Sequence, residues 1–376
     1  MKIAVNTRLL LNGKLEGIGW FTYEVFKRIA LNHPEHEFYF IFDRPYSELF
    51  IFSENVKPIV LPPPTRHPVL WYYWFEYALP NALKKIDADV FLSPDGYLSL
   101  SVDLPQVAVI HDINFFHYPK GLPFVKSRYL NHFFPRYAQK ACRIVTVSNY
   151  SKHDIAKNYN IDLEKIDVAY NGASEQFKPL DDEEKQAARQ RYSSGLPYFL
   201  FVGALNPRKN VARLIQAFDI FKQTTGLQEK LLLVGEPMFM TSDIKKAYLQ
   251  SQFKADILFL GRKDVAELSQ ITGAAKAIVY PSIFEGFGIP LLEAMKCGVP
   301  VASSNTTAMP EVAGDAALYF NPMSVDEMAE AMQILSRDNN LCSKLSAAAL
   351  ERQKMFSWDV TADTVFKSIE KCLSQC

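Results

Sequence analysis

Short runs of β-branched and aromatic residues alternate with helix-length segments along most of the 376-residue chain. In the first half KIAVNT (2–7), EFYFIFD (37–43), KPIVLP (57–62), DVFLSP (89–94), QVAVIHD (106–112), RIVTVS (143–148) and KIDVAYN (165–171) read as strands. Helical segments such as Trp20–Ala30 and Val125–Ala141 lie between them. In the second half YFLFVGA (198–204), KLLLVGE (230–236), DILFLG (256–261), AIVYPS (277–282), VPVAS (299–303) and ALYF (317–320) repeat the pattern. Near-continuous apolar strands separated by helices predict parallel sheets covered on both faces. The pattern occurs twice, so two doubly wound α/β domains are expected. The charged stretch KPLDDEEKQAARQRYSSGLP (178–197) suits a linker with a short exposed helix, which places the boundary at Lys178 to Gly195.

Composition narrows the class. Hydrophobic residues are 48 % and charged residues 22 %, with 41 basic against 41 acidic side chains. That is ordinary globular material with no net field to attract nucleic acid. Five cysteines (Cys142, Cys297, Cys342, Cys372 and Cys376) form no CxxC pair, so a reducing, cytoplasmic setting is expected. The apolar run in MKIAVNTRLL is too short for a signal peptide, and no stretch approaches a membrane span. Peripheral contact with the inner face of a membrane stays open.

In open α/β sheets ligands sit beyond the carboxyl ends of the strands, and that rule selects the chemistry to inspect. AIVYPS delivers PSIFEGFGIPLLEAMKCGVPV (281–301) to such an edge. Pro290 suits a first helical turn, which leaves Glu285 in the loop and Glu293 in that turn. Gly286, Phe287 and Gly288 between them give a loop whose glycines carry no side chain to block a ligand. Carboxylates accept hydrogen bonds at both oxygens and suit the diols of a sugar or ribose. A capped helix with Glu near its positive end is the plain alternative. After Gly203, Pro207-Arg208-Lys209-Asn210 opens a helix, and two cations beside backbone N–H groups make a phosphate site. A solvated basic helix start would look the same. In the first half, Gly17 and Gly19 open a helix after the first strand, and His111-Asp112 ends another. Either feature can be purely structural. Ser148 and Asn149 also end a strand.

Together these residues resemble the family-4 retaining glycosyltransferases of GT-B fold over nearly the whole chain, most closely from Phe201 to Gly314. The resemblance implies two Rossmann-like domains with an interdomain cleft. It implies an acceptor domain over 1–178, with a last helix over 359–376 crossing back to it, and a nucleotide-sugar domain over 195–358. It gives Glu285 the transferred sugar, Glu293 the ribose, and Arg208 with Lys209 the diphosphate. Gly17, Gly19 and Gly203 would lie against the donor, and His111 would touch its sugar. The Arg that many relatives carry directly after the strand-end glycine is Ala204 here, so the phosphate grip falls on Arg208 and Lys209. No metal or other cofactor is expected: Asp87-Ala88-Asp89 looks like a DxD metal motif but precedes its strand, at the edge opposite the expected ligand. VIHDINFFHYP and the glycine loop are similar to bacterial mannosyltransferases that use GDP-mannose for surface polysaccharide. The expected partners are a nucleotide sugar and a saccharide or lipid-linked saccharide acceptor. A nucleotide-sugar epimerase of the same fold and a non-catalytic sugar-nucleotide-binding protein are the alternatives.

VLWYYWFEYALP (69–80) holds six aromatic rings, more than one buried helical stripe accommodates. Core packing, sugar stacking and a membrane interface all suit it. In the last reading Trp71 and Trp74 would meet lipid.

Overall fold

The computed structural model describes residues 1–236 and 242–375, so Cys376 lies outside the described residues. The chain forms two compact units, Met1–Asn171 with Ser357–Cys376, and Gly172–Phe356.

The first unit is built on a seven-stranded sheet of order β3-β2-β1-β4-β5-β6-β7. Its strands are β1 (Lys2–Asn6), β2 (Glu37–Phe42), β3 (Val56–Val60), β4 (Val90–Ser93), β5 (Gln106–Val109), β6 (Arg143–Thr146) and β7 (Ile166–Val168). Every pairing is parallel, with Ile3 opposite both Phe38 and Val90. The strand order reverses between β1 and β4. There the ends of two neighbouring strands lead their loops apart and leave a crevice, the usual ligand position in such sheets. The last helix, Trp358–Ser374, packs on this unit, where Ser368 and Lys371 bond Asp167 at 2.8 Å each.

The second unit has a six-stranded parallel sheet of order β10-β9-β8-β11-β12-β13. Its strands are β8 (Tyr198–Val202), β9 (Lys230–Val234), β10 (Ile257–Gly261), β11 (Ala277–Tyr280), β12 (Val301–Ser304) and β13 (Ala317–Phe320). All of β8 and β11 is buried, as an apolar strand covered on both faces must be. The reversal falls between β8 and β11.

Two expectations are corrected. The stretch expected as a linker belongs to the second unit, and the chain passes between units at Asn171–Gly172 instead. Its helix, Asp182–Ser193, has a capping box of Asp181 and Glu184. It docks through buried Ala188 and Tyr192, four residues apart on one face, and Arg189 donates to the Ala274 carbonyl at 2.9 Å. The surrounding charges hide that short stripe. The aromatic segment is also divided. Trp71 and Trp74 are buried, and their indole N–H groups donate to the Thr65 and Leu61 carbonyls at 2.8 and 2.7 Å. They are core residues and do not meet lipid. Tyr72, Tyr73 and Tyr77 point outward. The described cysteines form no disulfide.

Candidate active site

At the β8–β11 reversal the two sequence features separated by some seventy residues converge. Beyond Gly203 the chain makes a single tight turn, Pro207–Lys209, capped by the Asn206 side chain. Asn210 then adopts a left-handed φ of 61°, and the helix Val211–Thr225 begins only after it. The cations therefore sit on the turn before the helix. Asn210 fixes that break by donating to the Pro281 and Pro322 carbonyls at 3.0 and 2.6 Å.

Glu285 is buried between the two cations. Arg208 Nη1 lies 2.9 Å from Oε2 and Lys209 Nζ 2.7 Å from Oε1. Arg208 also donates to the Phe284 carbonyl. Burial pushes the Glu285 carboxyl upward, but Arg208 and Lys209 outweigh it and hold the pKa at about 2. The group is ionised at neutral pH. Its backbone is pinned by Thr307 Oγ1, which accepts from the Glu285 amide at 3.1 Å. Lys209 is positioned from below by Tyr280, whose hydroxyl accepts from Nζ at 2.7 Å. Burial, then the Glu285 charge, raises the Tyr280 pKa and keeps that hydroxyl protonated. Gly203 lies against the Lys209 stem, where an added Cβ would come within 3.3 Å of Cε.

The glycine loop is buried from Phe284 to Gly288. Gly288 caps the helix Ile289–Lys296 at φ 101°, a conformation other residues rarely adopt. The Phe287 ring meets Phe356 edge-on at 5.6 Å and anchors the loop within the unit. Glu293 stands one residue deeper than expected, just past the first turn, because the helix starts at Ile289 and Pro290 takes its second position. Burial alone raises its carboxyl to about 7. Among the described residues no hydrogen-bond donor meets that carboxyl. Glu285 and Glu293 thus have opposite electrostatics: one is locked ionised, the other titrates near neutrality.

In the first unit His111 follows β5. Its Nε2 lies 2.9 Å from the Pro94 carbonyl, and its ring meets Phe21 edge-on at 4.8 Å. A carbonyl only accepts, so Nε2 carries the proton and Nδ1 is left as an acceptor. Burial lowers the His111 pKa against the pull of Pro94 and Asp112, so the ring is neutral at pH 7. Gly19 is buried at the start of the helix Gly17–Asn32, and Gly17 is exposed. Ser148 caps the helix Asn149–Tyr159, and Asn149 donates to the Tyr170 hydroxyl at 2.7 Å. Asp89 accepts from the Lys2 amide at 2.7 Å, and Asp87 ends a helix. This pair stands at the start of β4.

Sequence reasoning missed Tyr280 and Thr307, which orient Lys209 and Glu285. It also missed Arg8, buried where β1 ends. Arg8 Nε donates to Asp95 at 2.7 Å and its guanidinium lies 4.3 Å from the Tyr97 ring centre. Asp95 follows β4, so the pair closes the floor of the first unit's own strand reversal.

Comparison with known proteins bears on what these sheets support. The family model described as Glycosyltransferase Family 4 matches residues 17–177, and that described as Glycosyl transferases group 1 matches 182–352. The chain is 31 % identical to O-antigen chain mannosyltransferase B of Escherichia coli, over 74 % of this chain and 73 % of that protein. It is 28 % identical to O-antigen chain mannosyltransferase RfbU of Salmonella typhimurium, over 74 % and 75 %. Among solved structures, sucrose-phosphate synthase from Thermosynechococcus elongatus superposes with a TM-score of 0.81 at 17 % identity over 100 % of both chains. Anabaena HepE in complex with UDP and glucose gives 0.76 at 18 % identity over 98 % and 99 %.

Two parallel, doubly wound units of this kind define the GT-B class of glycosyltransferases. The chain belongs to glycosyltransferase family 4 and is a glycosyltransferase.

Proposed function

We propose that the enzyme moves mannose from GDP-mannose to a saccharide or lipid-linked saccharide acceptor with retention of anomeric configuration. The observation that carries this reading is the Arg208–Glu285–Lys209 cluster at the β8–β11 reversal. Two cations against one ionised carboxylate leave positive charge for the donor diphosphate. Glu285, held ionised, accepts hydrogen bonds from hydroxyls of the transferred sugar. Glu293 accepts from the ribose diol. Neutral His111 offers Nδ1 as an acceptor to a sugar hydroxyl. The bond from the anomeric carbon to the diphosphate oxygen breaks, and positive charge develops on the sugar, as in glycoside hydrolysis. The acceptor oxygen bonds the same carbon on the face the diphosphate leaves. Its proton passes to a diphosphate oxygen, so no protein base is needed, and the charge that a metal ion would neutralise is met by Arg208 and Lys209. Catalysis is then positioning and charge stabilisation. The mannosyltransferase relatives favour mannose as the sugar and GDP as its carrier.

A donor panel tests this together with the Glu293 assignment. Nucleotide release from GDP-mannose should exceed release from GDP-glucose and UDP-sugars. An ionised Glu293 binds ribose hydroxyls better than the acid does. With a pKa of about 7, its ionised fraction rises through neutrality. Donor affinity should therefore strengthen by up to about tenfold between roughly pH 6 and 8. Glu293→Gln should bind more weakly and lose that pH dependence. Equal pH profiles in the two proteins would remove Glu293 from the ribose site.

A further inference from the structure

We propose that His33, Glu35 and His36 bind a divalent ion of the zinc type on the first unit. The ion pins the end of the helix Gly17–Asn32 to the start of β2. This site is separate from the transfer chemistry and does not rest on it.

The three side chains come from one short turn, His33-Pro34-Glu35-His36. His33 Nδ1 lies 3.3 Å and His36 Nε2 3.4 Å from the same oxygen, Glu35 Oε1. The ligand atoms of all three groups lie within 4.8 Å of one another. Such spacings are long for imidazole–carboxylate hydrogen bonds, which run at about 2.7–2.9 Å when charge-assisted. Elsewhere on this unit His117 meets Asp154 at 2.9 Å. The spacings match ligands of one ion. Zinc held tetrahedrally at about 2.0–2.1 Å sets its ligand atoms roughly 3.3–3.4 Å apart. A small turn of one ring closes the third edge.

The turn is held in place before any ion arrives. The Asn55 side chain donates to the Ala30, His33 and His36 carbonyls at 3.1, 3.1 and 3.0 Å. The His33 ring lies on Phe366 with centres 3.5 Å apart, and the His36 ring is within 4° of parallel to it. Phe366 is buried in the last helix, so both rings rest on a fixed floor. His36 Nδ1 faces the Met1 amino group at 3.3 Å, which leaves Nε2 directed at Glu35. Neighbouring Glu37 is already taken by Lys57 and Tyr39 at 2.6 and 2.8 Å. Two imidazoles and one carboxylate suit zinc, whereas magnesium and calcium demand oxygen ligands. Water fills the fourth position. An ion here ties helix end to strand start and keeps His33 against the last helix, so it stabilises the unit. The turn stands at the amino end of β2, the sheet edge opposite the strand-end crevice.

Zinc titration of the full chain, carrying no histidine tag and stripped with EDTA, tests the proposal without any sugar donor. One zinc ion per chain should bind at micromolar concentration, release protons and raise the melting temperature, and magnesium should do none of these. Glu35→Gln and His36→Gln should each weaken zinc binding at least about tenfold. The Glu35 side chain is 58 % exposed, so Glu35→Gln carries the test even where His36→Gln loosens the turn. Its melting temperature without zinc should equal that of the unaltered chain. Cobalt as a probe should give a tetrahedral visible spectrum without a thiolate charge-transfer band, which separates this site from the cysteines. Transfer should run at the same rate with and without zinc, so failure of either reading leaves the other standing. No zinc uptake at micromolar concentration, uptake undiminished in Glu35→Gln, or a thiolate band with cobalt would each overturn the proposal.

Discussion

Replacing Glu285 by glutamine is expected to lower transfer by about 100- to 1000-fold, with the affinity for free GDP changed little. The substitution keeps the size of the side chain and removes its charge. In the folded protein that charge is held between Arg208 and Lys209 at 2.9 and 2.7 Å. The nucleotide contacts assigned to Glu293 and the cations stay in place. What is lost is a fixed anion beside a sugar that becomes positively charged as its bond to the diphosphate breaks. That interaction strengthens in the transition state, so the loss should appear in kcat rather than in donor KM. A fall in GDP affinity as large as the fall in kcat would show that Glu285 serves only to hold the phosphate site together. Stability gives a second readout. The Glu285 pKa is depressed, so its contribution is fully present above the unfolded value of about 4.5 and is lost as pH falls toward about 2. The glutamine variant should lose less stability than the unaltered chain across that acid range.

Lys209→Met should also impair the enzyme, with a different kinetic pattern. Lys209 is almost wholly buried, with Nζ 2.7 Å from both Glu285 Oε1 and the Tyr280 hydroxyl. Methionine fills the volume without the charge. The donor diphosphate loses one of its two assigned cations, so donor KM should rise by about tenfold or more. Glu285 keeps only Arg208 of the pair, and its carboxyl should titrate above its present value of about 2. Removing one partner of a buried ion pair also destabilises the fold, so the melting temperature should drop. Lys209→Arg should not rescue, because a planar guanidinium does not fit a cradle shaped around an ammonium. Tyr280→Phe separates positioning from charge. It removes one hydrogen bond, worth about 1 kcal/mol, and should cost about fivefold. If Lys209→Met matched Tyr280→Phe, the lysine charge would have no part in donor binding.

Much of this was legible in the sequence because parallel strands buried on both faces must be apolar along their length. YFLFV and AIVY could hardly be anything else, and the loops that follow them carry Arg208, Lys209 and Glu285 to one edge. The supporting residues were hidden for physical reasons. Tyr280 sits in an apolar strand and reads as core until its hydroxyl is found beneath Lys209. Thr307 lies 22 positions beyond Glu285, and Arg8 meets Asp95 across 87. Such pairings depend on strand order, which local pattern does not encode. The misplaced linker failed because Ala188 and Tyr192 are two apolar positions among many charges. In the aromatic segment the excess of rings over one buried stripe did foretell a division between core and surface, but not that Trp71 and Trp74 fall on the core side: a wide helical turn over Trp74–Ala78 shifts the helical phase that would have sorted them.

The central claim is retaining transfer of a hexose from a nucleotide sugar without a metal. It is tested most directly by following GDP-mannose labelled at the anomeric carbon, with a saccharide acceptor and excess EDTA, and reading the product by NMR. The expected result is a new glycosidic bond at the labelled carbon, in the anomeric configuration of the donor, formed at the same rate with and without the chelator. Label recovered in a nucleotide sugar of altered configuration would make the protein an epimerase. An inverted linkage, arrest by EDTA, or donor bound and returned unchanged would each contradict the claim.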